Sequence, residues 1–275
     1  MSQQTLIWIA SYPKSGNTWV RALLANYMLG TDKPLPLETI RSISHGDVPR
    51  PTYERLSGRP ADQLDAEALM VTRHAHLKEI AAAAPNNFVK THYPVGQIAG
   101  RAFIPPALTK SAIYVLRNPL DLVLSYADHW NTDHSMAGAQ LAHARNTVAL
   151  THKTVPQFLG NWSDHVTSWT SGRAFPVAIL RYEDLLVDAG AALAGALETI
   201  GLPVEPERVA QAVRFADFRE LARQEAEGGF EERGSTQARF FREGRADQWR
   251  QDLDPAIAIR IRRDHGAVMQ RFGYL

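Results

Sequence analysis

A chain of 275 residues with 45% hydrophobic and 21% charged residues is long enough to bury a full core and reads as one α/β domain over 1–275. A net charge of +1 excludes a broad cationic field for nucleic acid or membrane surfaces, and the absence of cysteine excludes disulfides, thiolate catalysis and cysteine-ligated metals. The N-terminus lacks a basic-then-apolar leader, and no run approaches the ~20 apolar residues of a membrane span, so a cytoplasmic protein is expected.

In chain order, Leu6 to Ala10 is apolar and β-branched enough for a buried strand, and Asn17 to Leu29 carries Val20, Leu23, Leu24, Tyr27 and Met28 at a helical period. The short loop between them holds Lys14, Ser15 and Gly16 at a helix N-terminus. Free backbone N–H groups and the helix dipole favour an anion there, Gly16 allows close approach, and Lys14 adds a full positive charge. The loop lacks the upstream glycine and the Gly-Lys-Ser/Thr ending of a nucleoside-triphosphate cradle, so a single 5′-phosphate suits it better. Segments 31–85 and 131–154 show little strand pattern and are expected to form lids and substrate walls, as is 225–240, whose stretch Glu225 to Thr236 reads as flexible. Further strands are expected at Phe88 to Thr91, Ala112 to Leu116 and Val177 to Leu180. Helices are expected at Pro119 to Trp130, Val155 to Thr170, Leu185 to Ile200 and Pro255 to Arg271. This alternation predicts a central, mostly parallel sheet flanked by helices, with ligands bound beyond the carboxyl ends of the strands, where the first loop, His92 and Arg117 all fall.

Four segments together resemble the sulfotransferases that use 3′-phosphoadenosine 5′-phosphosulfate (PAPS). Tyr12-Pro13-Lys14-Ser15-Gly16-Asn17-Thr18-Trp19 is similar to their 5′-phosphosulfate loop, with Asn17 where threonine is usual. Phe88-Val89-Lys90-Thr91-His92-Tyr93-Pro94 is similar to their catalytic-histidine segment. Tyr114-Val115-Leu116-Arg117-Asn118-Pro119, with Asp121 and Ser125, resembles their 3′-phosphate strand, loop and helix. Phe241-Arg242-Glu243-Gly244 with Trp249 resembles the loop that closes over the same phosphate.

The resemblance implies PAPS as donor, adenosine 3′,5′-bisphosphate (PAP) as product, and a small-molecule acceptor attacking through a hydroxyl or, less favoured, an amine. His92 is then the general base, Lys14 stabilises the leaving phosphate, Lys90 meets the sulfuryl oxygens, and Ser125 restrains Lys14 until substrate arrives. Ser15, Gly16, Asn17 and Thr18 with Lys14 hold the 5′-phosphate. Arg117 and Ser125 take the 3′-phosphate, Arg242 and Gly244 close over it, and Trp19, Tyr182 and Phe218 hold the adenine. Trp19 and Phe218 as plain core residues remain an alternative, whereas Trp8, Trp162 and Trp169 are read as core. Asp121 reads as a helix-start acid without a ligand role. Glu243 stands where lysine is usual, which weakens the expected phosphate contact unless Arg242, Arg239 or Arg245 compensates. His129 and His134 are candidates for the acceptor pocket, and the lone His74-x-His76 pair does not make a metal site, so no metal is expected. The family's C-terminal dimerisation motif is not recognisable, which leaves the oligomeric state open. The competing reading is a nucleoside or small-molecule kinase, and a third is a nucleotide sensor without turnover.

Overall fold

The computed structural model describes residues 4–233 and 239–275. Five strands, β1 (Leu6–Ser11), β2 (Ser44–Gly46), β3 (Asn87–Thr91), β4 (Thr109–Leu116) and β5 (Val177–Arg181), form one parallel sheet in the order β2-β3-β1-β4-β5. Eleven helices surround it: α1 (Asn17–Leu29), α2 (Arg50–Ser57), α3 (Ala66–Ala83), α4 (Pro119–Trp130), α5 (His134–Ala142), α6 (Trp162–Thr170), α7 (Tyr182–Val187), α8 (Ala189–Thr199), α9 (Pro206–Phe215), α10 (Phe218–Gly228) and α11 (Pro255–Arg271), alongside shorter helical turns.

Both faces of the sheet are covered, which is why its strands read as continuous apolar runs rather than alternating ones. Leu6, Trp8, Ala10 and Tyr114 pack on one side with α3, α6 and α11, and Ile7, Ile9, Ile113 and Val115 pack on the other with α1, α8 and α9. Trp8, Trp162 and Trp169 are fully buried, as expected of core residues. Register aligns the strand ends: Ala10 is opposite Thr91 and Tyr114, and Leu116 is opposite Arg181. Residues following Ser11, Gly46, Thr91, Leu116 and Arg181 are thereby brought to one edge of the sheet.

The structure departs from the sequence reading in four places. The expected helix from Val155 begins only at Trp162, because Gln157–Phe158 pairs with Thr147–Val148, Gly160 turns at φ 68°, and Asn161 caps the helix by accepting from Asp164 N–H. The expected helix 185–200 is two helices, parted at Asp188, whose backbone leaves the helical region and whose side chain caps α8. Segment 31–85, expected to form lids and substrate walls with a helix ending in the alanine run Ala81 to Ala84, is built around α2, α3 and the edge strand β2. Its longest element, α3, buries Arg73 and His76 among Met70, Leu77 and Ile80, so charges interrupt the apolar stripe. Arg73 is paired with Asp47, just past β2, at 2.8 Å, both side chains being essentially inaccessible. Finally, the expected flexible stretch begins as helix, since α10 runs to Gly228; residues 234–236 of that stretch, and 234–238 of the expected lid, lie outside the described residues.

Candidate active site

The strand ends open into a cleft of about 1150 Å³, lined from one side by the first loop and from the other by residues 129–130 and 148–157. Of the residues expected to act, Lys14, Gly16, Asn17, Thr18, Trp19, Lys90, His92, Arg117, Ser125, Tyr182, Phe218, Arg242 and Gly244 all line it. Ser15 is buried behind the loop, with no hydrogen-bond partner for its hydroxyl among the described residues.

The first loop is shaped by its glycine. Gly16 has φ +103°, and a Cβ there would stand 2.8 Å from a ring carbon of Tyr182, so a side chain would strain the backbone and push the aromatic ring. Lys14 also has a positive φ, 71°, and its buried Nζ has no hydrogen-bond partner among the described residues. The ammonium lies 3.9 Å from the centroid of the Phe240 ring. Burial pulls its pKa down to about 7, while the carboxylates of Asp128 and Glu232 work against that fall. Phe240 is held there by Glu225, a buried carboxylate that accepts from the Phe240 and Phe241 N–H groups at 2.6 and 2.9 Å.

Asn17 and Thr18 are placed differently from each other. The Asn17 amide donates to Ile9 O at 3.0 Å and Ser11 Oγ at 3.3 Å, tying the helix start to the end of β1. What Asn17 can offer an anion is therefore its backbone N–H, since its remaining side-chain atom is an acceptor. The Thr18 hydroxyl donates to Glu232 Oε2 at 3.1 Å.

His92 continues from β3 and faces Ser11 of β1. Its Nδ1 is 2.8 Å from the Ser11 carbonyl oxygen. A carbonyl only accepts, so Nδ1 carries the hydrogen and Nε2 keeps its lone pair. Burial, and then the charge of Lys90, push its pKa down to about 3, so the ring is neutral near pH 7. The His92 carbonyl accepts from His165 Nε2 at 3.0 Å, and His165 Nδ1 accepts from the Tyr114 hydroxyl at 2.9 Å. His165 is fully buried on α6; with no recognisable spacing to His92, it could not be found from sequence.

Arg117 lies directly after β4. Its Nη1 donates to Lys14 O at 3.2 Å, its guanidinium sits 4.5 Å from the Tyr182 ring centroid, and its buried Nε has no partner among the described residues. Ser125 stands two turns further along α4 and lines the same cleft. Trp19 is half-buried, bonded through Nε1 to Ala216 O at 2.9 Å, and edge-on to Tyr182 at 5.8 Å. Phe218 closes against Gly244, where a Cβ would come within 2.5 Å of the ring and φ is +61°.

Two acidic residues differ from their sequence reading. The Glu243 carboxylate pairs with Arg245 at 3.1 Å, which offsets its charge beside the cleft; Arg239 is exposed and does not line it. Asp121 is more than a helix-start acid: buried, it accepts from Asp247 N–H at 2.7 Å and Trp249 N–H at 2.9 Å, and so fastens the segment after Gly244 to α4. Arg242 in that segment donates to Gln248 Oε1 at 3.1 Å. His129 lines the cleft, whereas His134 opens α5 outside it. No group of three His, Cys, Asp or Glu stands together as a metal site among the described residues, and no described helix is long and apolar enough to cross a membrane.

The arrangement pairs Lys14 Nζ, Ser15 Oγ and Arg117 Nε, which have no hydrogen-bond partner among the described residues, with a neutral histidine presenting a lone pair. The sulfotransferase domain family matches residues 4–273. Cytosolic sulfotransferase 16 of Arabidopsis thaliana is 25% identical, with 96% of this chain aligned to 75% of that protein. Cytosolic sulfotransferase 1 of Danio rerio is 26% identical over 76% of this chain, which spans 64% of the fish protein. Among solved structures, a retinol dehydratase in complex with androsterone and the inactive cofactor PAP superposes with a TM-score of 0.64 at 19% identity, covering 97% of this chain and 81% of that one. Mouse sulfotransferase SULT7A1 complexed with PAP gives 0.60 at 18% identity over 97% and 85%. At these identities, the structural likeness establishes the fold.

Proposed function

The chain belongs to the sulfotransferase domain family and is a PAPS-dependent sulfotransferase, and from that premise we propose that it moves the sulfuryl group to a hydroxyl of a small molecule, with His92 as general base and Lys14 at the leaving phosphate. The donor lies with its 5′-phosphosulfate at residues 14–18, its 3′-phosphate at Arg117 and Ser125, and its adenine among Trp19, Tyr182 and Phe218. Arg242 and Gly244 complete the enclosure. The acceptor oxygen attacks sulfur in line, its proton passes to His92 Nε2, the new S–O bond forms, and the bond between sulfur and the bridging oxygen breaks. Charge that gathers on that oxygen meets the Lys14 ammonium and the N–H groups of the α1 N-terminus. Fixing the Nδ1 hydrogen on Ser11 O keeps His92 in the tautomer that can take the proton. Residues 31–85, 131–154 and the neighbourhood of Glu231 form the acceptor side, and the cytosolic relatives support a cytoplasmic location.

The observation that carries this reading is the coincidence, in one cleft, of buried and unpartnered Lys14 Nζ and Arg117 Nε with the lone-pair face of His92. A kinase is disfavoured by the absence of a Gly-Lys-Ser/Thr loop and by Arg117, which has no counterpart need in a triphosphate. Isothermal titration separates them: tight binding of PAP with weak binding of ATP supports the transferase reading, and the reverse order overturns it.

A further inference from the structure

Arg21 belongs to no segment that resembles the family, yet it is one of the largest fully buried side chains of the molecule, only 2% exposed. It sits three residues after Thr18 on the same face of α1, and its guanidinium lines the active-site cleft. Ser44 fixes it in place: the Ser44 hydroxyl donates to Ile40 O at 2.9 Å and accepts from Arg21 Nε at 2.9 Å. The remaining face of the guanidinium meets Glu232, Nη1 to Oε1 at 2.7 Å. The same carboxylate accepts from Thr18 Oγ1 at 3.1 Å and stands 3.2 Å from Lys90 Nζ. Among the described residues, Glu232 is the one carboxylate within ion-pair reach of Arg21.

Glu232 comes from a segment outside regular structure, beyond Gly229, which leaves α10 at φ 75°. Its neighbour Glu231 reaches Arg41 and Lys153 at the mouth of the cleft, the latter at 3.4 Å. Both carboxylates thus lie across the β3 and β2 side of the loop, opposite the side on which Arg117 stands. Burial opposes ionisation of Glu232, but Lys90 and Arg21 outweigh it and hold its pKa well below the usual carboxylate range. A permanently charged guanidinium this deeply buried is costly without a counter-charge. Anything that displaces Glu232 must therefore bring an anion of its own.

We propose that Thr18, Arg21 and Lys90 form an oxyanion site at the acceptor side of the phosphosulfate loop, and that Glu232 fills it until an oxyanion of the reactants takes its place. The proposal rests on the sulfotransferase reading, in which Thr18 and Lys90 are already donor ligands. Glu232 then competes with substrate for the same hydrogens, and Arg21 is a binding residue of the reaction. Two sources supply such an anion: the sulfuryl group of the donor, or an acidic group on the acceptor.

Titration of PAP and PAPS into the wild-type protein, Glu232→Gln and Arg21→Gln, followed by inorganic sulfate into each PAP-loaded protein, separates them. Removing the competing carboxylate tightens the oxyanion ligand by about tenfold, the worth of one charge-assisted contact. If the sulfuryl is the occupant, Glu232→Gln favours PAPS over PAP more than the wild type does, and Arg21→Gln loses that preference. If an acceptor acid is the occupant, the PAPS-to-PAP ratio is the same in all three, while sulfate binds PAP-loaded Glu232→Gln more tightly than wild type and fails with Arg21→Gln. Should Arg21→Gln not fold, as thermal melting reports, Glu232→Gln decides alone. PAP, PAPS and sulfate affinities all within twofold of wild type in Glu232→Gln overturn the proposal and leave the transferase reading standing. Failure of the wild-type protein to bind PAP at all strikes at the transferase reading instead.

Discussion

At the scale of single residues, burial does most of the chemical tuning. Lys14 and His92 are both shifted toward their neutral forms, one to about 7 and the other to about 3, and the two shifts have opposite consequences. In the general-base role proposed for His92 the neutral form is the working form, so protonation of the free enzyme at this residue is expected not to limit activity between pH 5 and 7. In the phosphate-binding role proposed for Lys14 the charged form is the working one, so donor affinity is expected to weaken as pH rises past 7. The dissociation constant of PAP is expected to climb by up to about tenfold per pH unit there. Titrations at pH 7, 8 and 9 check this, and the Lys14→Met variant is expected to show a flat profile. Lys14→Ala lowers kcat on the order of 100- to 1000-fold, and binds PAP no more tightly than the wild-type protein does at pH 9. His92→Gln costs roughly 100- to 10,000-fold with donor affinity nearly unchanged; single-turnover measurement with PAPS reads both. Sequence made Lys14 and His92 legible because each stands in a compact motif at the end of a strand. Arg21 was not legible: an arginine on an amphipathic helix reads as a solvent-facing charge, and its partners Ser44 and Glu232 lie 23 and 211 positions away.

At the scale of elements, two devices hold the ligand-facing loops in register. Gly16 lets the first loop pass beneath Tyr182, and its replacement by alanine both strains a positive φ and collides with the ring. Gly16→Ala is expected to cost about 1–3 kcal/mol, read by urea denaturation, with a parallel loss of PAP affinity. Asp121 clasps the N–H groups of Asp247 and Trp249. Asp121→Ala leaves both unpaired, so about 1–3 kcal/mol of stability is lost, and donor binding falls because Gly244 and Arg242 belong to the same segment. The helices that a clean apolar period announces, α1, α4 and α11, begin and end where the sequence predicts. The elements that the sequence showed only by an end, as with the alanine run that closes α3, or not at all, as with β2, are those in which the pattern is broken for a structural reason. In α3 the buried Arg73 satisfies Asp47 from within the stripe, and β2 is three residues long, too short to show any alternation.

At the scale of the whole molecule, the fold concentrates charge-sensitive groups inside a covered sheet. His165 and His265 are buried and His92 half-buried, with pKa values pushed down to about 4, 4 and 3 respectively. Since the unfolded chain binds these protons near pH 6.5, the stability they contribute is full above that pH and is lost as pH falls through the folded values. Each contributes a slope of at most about 1.4 kcal/mol per pH unit in that window. Urea midpoints at pH 7, 6 and 5 are expected to fall accordingly, and the His265→Gln variant to show a shallower dependence. The parallel order β2-β3-β1-β4-β5 sets the loop of residues 14–18, which follows β1, beside Arg117, which follows the neighbouring β4, so that the two proposed anion-binding ends stand at adjacent strand ends. In the proposed binding mode one nucleotide spans the two, with a phosphate at each end. The most direct measurement is the ratio of affinities for PAP and adenosine 5′-monophosphate, in the wild-type protein and in Arg117→Ala. PAP is expected to bind the wild type on the order of 100-fold more tightly, the worth of two charge-assisted contacts to the 3′-phosphate, and Arg117→Ala is expected to remove about tenfold or more of that advantage while keeping the monophosphate affinity. Equal binding of the two nucleotides by the wild-type protein contradicts the account.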